Sequence, residues 1–369
     1  MNRGFFNSSW AKSPTWYNLA KFSMADDSQA EKVTHWNGLS ISAKVILARD
    51  TNDATYLMLA LGKEENYLVR EAAAGNGNAT PEVLLKALRD RHPDVRTAAA
   101  WNWSATPEFL MAALQNDDPN VRRSAAGNRK ATPEVLLKAV ALEGEENVNV
   151  RRAAAGNGSA TPEVLLKALE DYALDVRSGA ARNRKATPEV LLKALALQDE
   201  EYVSVRHAAA ENERATPEVL MKAVVDLHPY VRIAAARNGN ATPEVLLKAL
   251  ALEGGENVNV RRAAAWNGKA TPEVLMKALQ DDQPEVRTAA ARNKNATAAV
   301  KTKYVLRYYL ENGRFPESSL ITPAAINALV RDQRVDLERL GGQIESSPFR
   351  NNEYIRASIQ LEKKRREKQ

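Results

Sequence analysis

The sequence has no cysteine among its 369 residues. That excludes disulfides, thiolate nucleophiles, cysteine-ligated zinc and iron–sulfur clusters together. Histidine is scarce: His35, His92, His207 and His228 are the four, and no two stand at a metal-ligand spacing such as i, i+4. No apolar run reaches the roughly 18 residues that a membrane-spanning helix needs. The N-terminal stretch MNRGFFNSSWAKSPTWYNLAK lacks the continuous apolar core of a secretory signal. These absences predict a cytoplasmic, non-membrane protein with no metal and no cofactor, and they disfavour an enzyme. What is present is ordinary for a folded chain: 44% hydrophobic and 27% charged residues, enough apolar surface to offset the entropy of ordering.

Internal repetition dominates. The tripeptide Thr-Pro-Glu begins at Thr80, Thr106, Thr132, Thr161, Thr187, Thr216, Thr242 and Thr271, in steps of 26 or 29 residues. Degenerate copies stand at Thr51 and Thr297. A Val-Arg pair recurs in the same rhythm from Val69 to Val286, and an asparagine follows each of those valines by seven residues, from Asn76 to Asn293. Nine units therefore occupy about residues 51–297, and a 26 plus a 29 make a higher period of 55. ALEGEENVNVRRAAAGNG at Ala141 returns as ALEGGENVNVRRAAAWNG at Ala251, two such periods later.

Each unit reads as two short helices. In helix A, TPEVLLKAL, threonine is the N-cap, proline takes the first helical position where no amide hydrogen is needed, and glutamate meets the positive end of the helix dipole. Leu84, Ala87 and Leu88 share its apolar face. Helix B is predicted to begin at each Val-Arg, with Val95, Ala98 and Ala99 packed inward and Asn102 ending it in the left-handed conformation that asparagine tolerates. The arginine of each Val-Arg recurs in all nine units, which suits a structural side-chain ladder better than partner discrimination. Helices this short are unstable alone in water and must bury their apolar faces on neighbours.

The pattern VRRAAAGNGSATPEVLLKAL resembles the leucine-rich repeat variant, a bacterial helical repeat related in style to short HEAT-like repeats. The likeness spans about two-thirds of the chain. It implies an all-α, right-handed α-solenoid superhelix and no catalytic residues. The units of 26 and 29 residues are longer than that family's usual repeat. An iron–sulfur piece associated with the family has no counterpart in a chain without cysteine. The expected organisation is an N-terminal cap with an aromatic-rich arm at 1–50 (Phe5, Phe6, Trp10, Trp16, Tyr17, Trp36), a repeat solenoid at 51–297, a helical C-terminal cap at 298–350, and a charged helix or tail at 351–369. Thr322-Pro323-Ala324-Ala325-Ile326 faintly echoes helix A within the C-terminal cap.

A formal charge of +6 suggests nucleic acid, but its placement argues otherwise. Residues 51–300 are net −1, and the excess lies in 1–50 (+2) and 301–369 (+5). Within a unit, acids such as Asp117, Asp118, Asp281 and Asp282 precede helix B and bases such as Arg129 and Lys130 follow it, which complements the helix dipole.

Because the copies are nearly identical, their differences are informative. The residue after Val-Arg and the residue before Asn vary freely, as in Thr97/Trp101, Arg123/Gly127, Arg152/Gly156, Ser178/Arg182, Ile233/Arg237, Arg262/Trp266 and Thr288/Arg292. Each pair is i, i+4 on one helical face. The two residues after Asn vary too, including Trp103. With Glu71/Gly75 and His207/Glu211 as further pairs, stacked units would turn these sites into a ribbon that mixes Trp, Arg, His and Glu, the residue types that anchor interfaces. Trp101, Trp103, Arg123, Arg152, Arg182, Arg237, Arg262, Trp266 and Arg292 are the predicted partner-binding residues. The expected function is a non-catalytic scaffold for a protein or extended peptide. The alternative is a nucleic-acid-binding solenoid that uses arginine-rich turns and stacking tryptophans. A glycosylase-like enzyme would need a carboxylate beside aromatics in a pocket, and the repeated Glu of Thr-Pro-Glu is already explained by capping.

Overall fold

A computed structural model describes residues 28–62 and 65–368. Phe5, Phe6, Trp10, Trp16 and Tyr17 lie outside the described residues. Among the described residues there are 24 α-helices and no strand. They divide into two compact units between Ala186 and Thr187, each built from the same two-helix repeat.

Helix A takes the form Pro81–Leu88, Pro107–Ala113, Pro133–Val140 and Pro162–Ala168 in the first unit, and Pro188–Leu195, Pro217–Ala223, Pro243–Leu250 and Pro272–Ala278 in the second. Every one starts at the proline, with the threonine as N-cap. The hydroxyl of Thr80 accepts from the Val83 amide, and all the others do likewise except Thr132. The Glu82 and Glu108 carboxyls are held below their ordinary range by their own backbone amides and then by the capping threonines. For Glu134 and Glu244 the threonine contribution leads. The glutamates thus take part in the caps.

Helix B begins two residues before Val-Arg, earlier than the sequence pattern suggests. Pro93–Trp101, Pro119–Gly127, Pro229–Arg237 and Pro284–Arg292 open on a proline whose fixed φ suits the first helical position. In the 29-residue repeats the helices are Val148–Gly156, Val203–Glu211 and Val258–Trp266, and the three extra residues form a 3₁₀ turn before each: Glu145–Asn147, Glu200–Tyr202 and Gly255–Asn257. Two of these turns follow Gly144 and Gly254 at φ 91°, a conformation that side chains resist.

Within each unit, A helices pack on A helices and B helices on B helices, and the two layers enclose the core, as in a repeat solenoid. Val83, Leu84 and Ala87 face Val95, Ala99 and Ala100, all with at most 1% exposure. The inward set on helix B is therefore Val95, Ala99 and Ala100. Ala98, expected inside, is half-buried at the edge of the layer.

The recurrent asparagine does not end its helix in a left-handed conformation. Asn102 is extended (φ −60°, ψ 135°), and no residue but glycine has positive φ among the described residues. Instead it is buried, and its amide donates to two main-chain carbonyls of the preceding repeat, those of Ala74 (2.7 Å) and Asn76 (2.8 Å), while its oxygen accepts from the Ser104 amide. The same bonds join Asn128 to Ala100 and Asn102, and Asn183 to Ala155 and Asn157. In the second unit they join Asn238 to Ala210 and Asn212, Asn267 to Ala236 and Asn238, and Asn293 to Ala265 and Asn267. A primary amide supplies two donors and an acceptor at one point. That suits the junction where one helix's last carbonyls, lacking helical partners, meet the next turn.

The Val-Arg arginine is structural, as expected, but in most units its side-chain partner lies in the turn of the following repeat, whereas Arg232 donates to the carbonyls of Asp226 and Leu227 in its own. Arg70, Arg151, Arg206 and Arg261 are buried and reach Asp90, Asp171, Asp226 and Asp281 at 2.7, 2.5, 2.9 and 2.6 Å. Arg151 also donates to the carbonyls of Leu142 and Gly144 in its own repeat. Burial works against its charge, but Asp171 and Tyr172 hold the guanidinium above its ordinary pKa. Some of the acidic turn residues are thus arginine acceptors, including Asp118, which meets Arg96 at 3.1 Å, and not only complements to a helix dipole.

At the N-terminal side, Trp36 in Gln29–Asn37 is buried and donates its indole N–H to Glu65, which also pairs with Lys44 at 2.8 Å. Beyond the repeats, Ala298–Asn312, Pro323–Arg331, Leu337–Glu345 and Glu353–Arg366 follow in order. Thr322 caps the second of these as the echo of helix A implied. Arg366 donates to the carbonyls of Val330, Asp332 and Val335.

A modular frame predicts tolerance to loss of one full period. Deleting residues 187–241, one 55-residue period, is expected to leave a shorter helical protein that still unfolds cooperatively in urea. Loss of the unfolding transition would contradict modularity.

Candidate binding surface

Of the variable positions off the inward stripe of helix B, the tryptophans and arginines face solvent, whereas Ser178 is buried and Thr97, Ile233 and Thr288 are half-buried. Trp101, Trp103 and Trp266 are 59%, 69% and 60% exposed. Arg123, Arg152, Arg182, Arg237, Arg262 and Arg292 are also exposed. Most of these predicted residues line one of two grooves over the B-helix layer.

In the first unit, Trp101, Arg123 and Arg152 border a groove of 1030 Å³. Ala98 and Ala153 line it as well. Its charge is mixed: Glu71, Asp94 and Asp118 line it too, with Arg129. Glycine shapes this surface. The Trp101 ring lies against Gly127, where an added Cβ would come within 2.9 Å of it. The Trp103 ring covers Gly77 of the preceding repeat and does not line the groove. These tryptophans are seated on backbone left bare by glycine, with most of each ring still exposed.

In the second unit, Arg237, Arg262, Trp266 and Arg292 border a groove of 1010 Å³. A smaller hollow of 340 Å³ adjoins it, lined by His207, Glu211, Ile233 and Arg237. Arg292 is held by Glu317 through a two-pronged ion pair, with Nε to Oε1 at 2.9 Å. Arg292 in turn is the main cause that keeps the Glu317 carboxyl below its ordinary range. Arg182 is exposed but lines neither groove.

The structure adds lining residues that were not singled out from sequence. Asp94, Asn120, Asn149 and Glu285 occupy the second position of their helices and also vary between copies. With the two positions already identified they make an i, i+3, i+7 set, such as Asp94, Thr97 and Trp101, which is one face of a helix. That spacing was visible in the sequence. Lys294, directly after its asparagine, belongs to the other variable set.

No group of three His, Asp or Glu is arranged to hold a metal ion among the described residues. No described helix is long and apolar enough to cross a membrane. Open grooves over a repeating two-layer helical frame define a helical repeat protein, and the described helices fit a solenoid repeat family. The chain is similar to a solved structure described as "a leucine-rich repeat variant with a novel repetitive protein structural motif", with 25% identity over 62% of this chain and 87% of that one, at a TM-score of 0.45. No family model matches the chain, and no curated protein matches it.

Proposed function

We propose that the chain is a non-catalytic scaffold that binds a protein or extended peptide along the B-helix ribbon. The observation that carries this reading is the contrast between frame and surface. The copies agree at the buried valines, alanines, leucines and asparagines, and they differ where side chains line the two grooves. Trp101 and Trp266, at the same register in different units, put large apolar rings on the rims of open grooves. Idle surface disfavours that, because exposed apolar area invites association.

Capture of partners from native cells, with and without nuclease, tests the reading. Protein capture that survives nuclease supports it, while dependence on nucleic acid favours the solenoid that grips phosphates. Trp101→Ala or Trp266→Ala is expected to weaken capture of a defined partner by about 2 kcal/mol, roughly 30-fold. Lys248→Ala, on the exposed side of an A helix, should change it by less than about 0.5 kcal/mol. Equal, small effects at all three positions would show that the ribbon is not the binding face.

A further inference from the structure

We infer that the groove of the second unit takes a short acidic peptide segment carrying an apolar or aromatic side chain. This rests on the ribbon being the protein-binding face and specifies what one part of it binds. Among the described residues Arg237, Arg262 and Lys294 border the groove without a hydrogen bond or ion pair. Arg292 is neutralised by Glu317. Glu285 is the one acid in the lining. Three cations without an ion pair, set against the single Glu285, repel each other around one hollow, and carboxylates placed between them relieve that repulsion. Guanidinium forks match carboxylates with two parallel bonds. Ala263, Ala289 and Pro284 give the same groove an apolar lining, with the exposed Trp266 ring beside it. The equivalent groove of the first unit lacks this bias, since three acids share it and Arg152 meets Asp175 at 3.3 Å.

The scale suits a peptide. The cations come from three successive B-layer positions, ending at Arg237, at Trp266 and just past Arg292. At about 8–10 Å between packed helices they span roughly 20 Å, or about six residues of extended chain at ~3.3 Å each. A nucleic acid strand fits less well. The adjoining hollow presents Glu211 and Glu213 to any strand that continues, and residues 51–300 as a whole are net −1. A surface that neutralises many phosphates needs a sustained basic track.

The test uses the full chain and fluorescein-labelled peptides DEWDEE and KKWKKK, with labelled oligo-dT as a third probe, followed by anisotropy. Saturable binding of DEWDEE alone is expected. Arg237→Glu with Arg262→Glu should weaken it at least tenfold, Trp266→Ala should weaken it measurably, and Trp101→Ala in the other groove should leave it unchanged. Circular dichroism on each variant confirms that the helices are intact. Absence of DEWDEE binding, binding indifferent to the two reversals, or preference for oligo-dT overturns the proposal. If DEWDEE fails while Trp101→Ala still abolishes nuclease-resistant protein capture, the groove assignment alone falls. If capture is also indifferent to Trp101 and Trp266, the ribbon reading falls with it.

Discussion

Replacing Arg206 with alanine is expected to destabilise the protein by about 3–5 kcal/mol, the range for removing one partner of a buried ion pair. The side chains of Arg206 and Asp226 are 2% and 7% exposed, and their contact is 2.9 Å. Arg206 also donates to the carbonyls of Leu197 (2.7 Å) and Asp199 (2.9 Å), so it fixes the turn of its own repeat while it reaches into the next. Asp226 in turn accepts from the His228 amide just ahead of Pro229–Arg237. Without the guanidinium, Asp226 keeps that one amide and an uncompensated buried charge, the Leu197 carbonyl loses its donor, and the Asp199 carbonyl keeps only the Tyr202 amide. Urea unfolding should therefore show a lower midpoint with little change in slope. Arg206→Met combined with Asp226→Asn should be more stable than Arg206→Ala alone, because the second change removes the stranded charge and keeps an oxygen for the His228 amide. A double variant no more stable than the single one would show that the loss comes from packing of the arginine stem and not from the ion pair.

Arg206 also shows what can be read from one dimension. Its recurrence marks it as structural, yet its acceptor lies 20 residues away in a turn whose aspartate looks like one acid among several. Pairing of a side chain with a residue one repeat on depends on how the repeats stack, which periodicity does not give. The A helices were fully legible, because their start signals are local: threonine, proline and glutamate act within four residues of one another. The B helices were legible except for their first two residues, the place of Ala100 and not Ala98 in the inward set, and the extended Asn102 at their end. At those first residues Pro93 and its equivalents carry the start signal, two residues ahead of the more regular Val-Arg pair. Of the surface, exposure could be foreseen for Trp101, Trp266 and the six arginines, since each lies off the inward stripe. Their gathering into two grooves could not, nor could the seating of Trp103 on Gly77 of the previous repeat. Both arise from the lateral packing of helices that are 26 or 29 residues apart in sequence. The difference in groove charge is likewise a matter of pairing. Arg292 counts as a cation in the sequence, but Glu317, from outside the repeats, removes it from the free set.

Asn238 should be about as sensitive as Arg206, and to a smaller chemical change. Its amide nitrogen donates to the carbonyls of Ala210 (2.8 Å) and Asn212 (3.0 Å), and its oxygen accepts from the Asn240 amide at 2.9 Å. Asn238 itself is only 8% exposed. Asn238→Ala leaves the Ala210 carbonyl and the Asn240 amide without partners and the Asn212 carbonyl with only the Ala215 amide, at about 1–3 kcal/mol for each unpartnered group that water cannot reach. A net loss of roughly 3 kcal/mol is expected, since the turn is close enough to the surface for partial rescue by solvent. Asn238→Asp is nearly isosteric and separates hydrogen bonding from packing. The carboxylate can still accept from the Asn240 amide but can donate to neither carbonyl, and it places negative charge against two carbonyl oxygens. Its expected loss at neutral pH equals or exceeds that of alanine. The folded state disfavours that charge, so the aspartate's folded pKa lies above its unfolded value. Stability should then recover as the pH is lowered through the folded pKa, where the protonated acid can donate one bond. The wild-type protein shows no such recovery at this site, because an amide does not titrate. If Asn238→Asp unfolds with the wild-type urea midpoint at neutral pH, the asparagine ladder is not what ties successive repeats together. The buried valine, alanine and leucine layers would then carry that coupling alone.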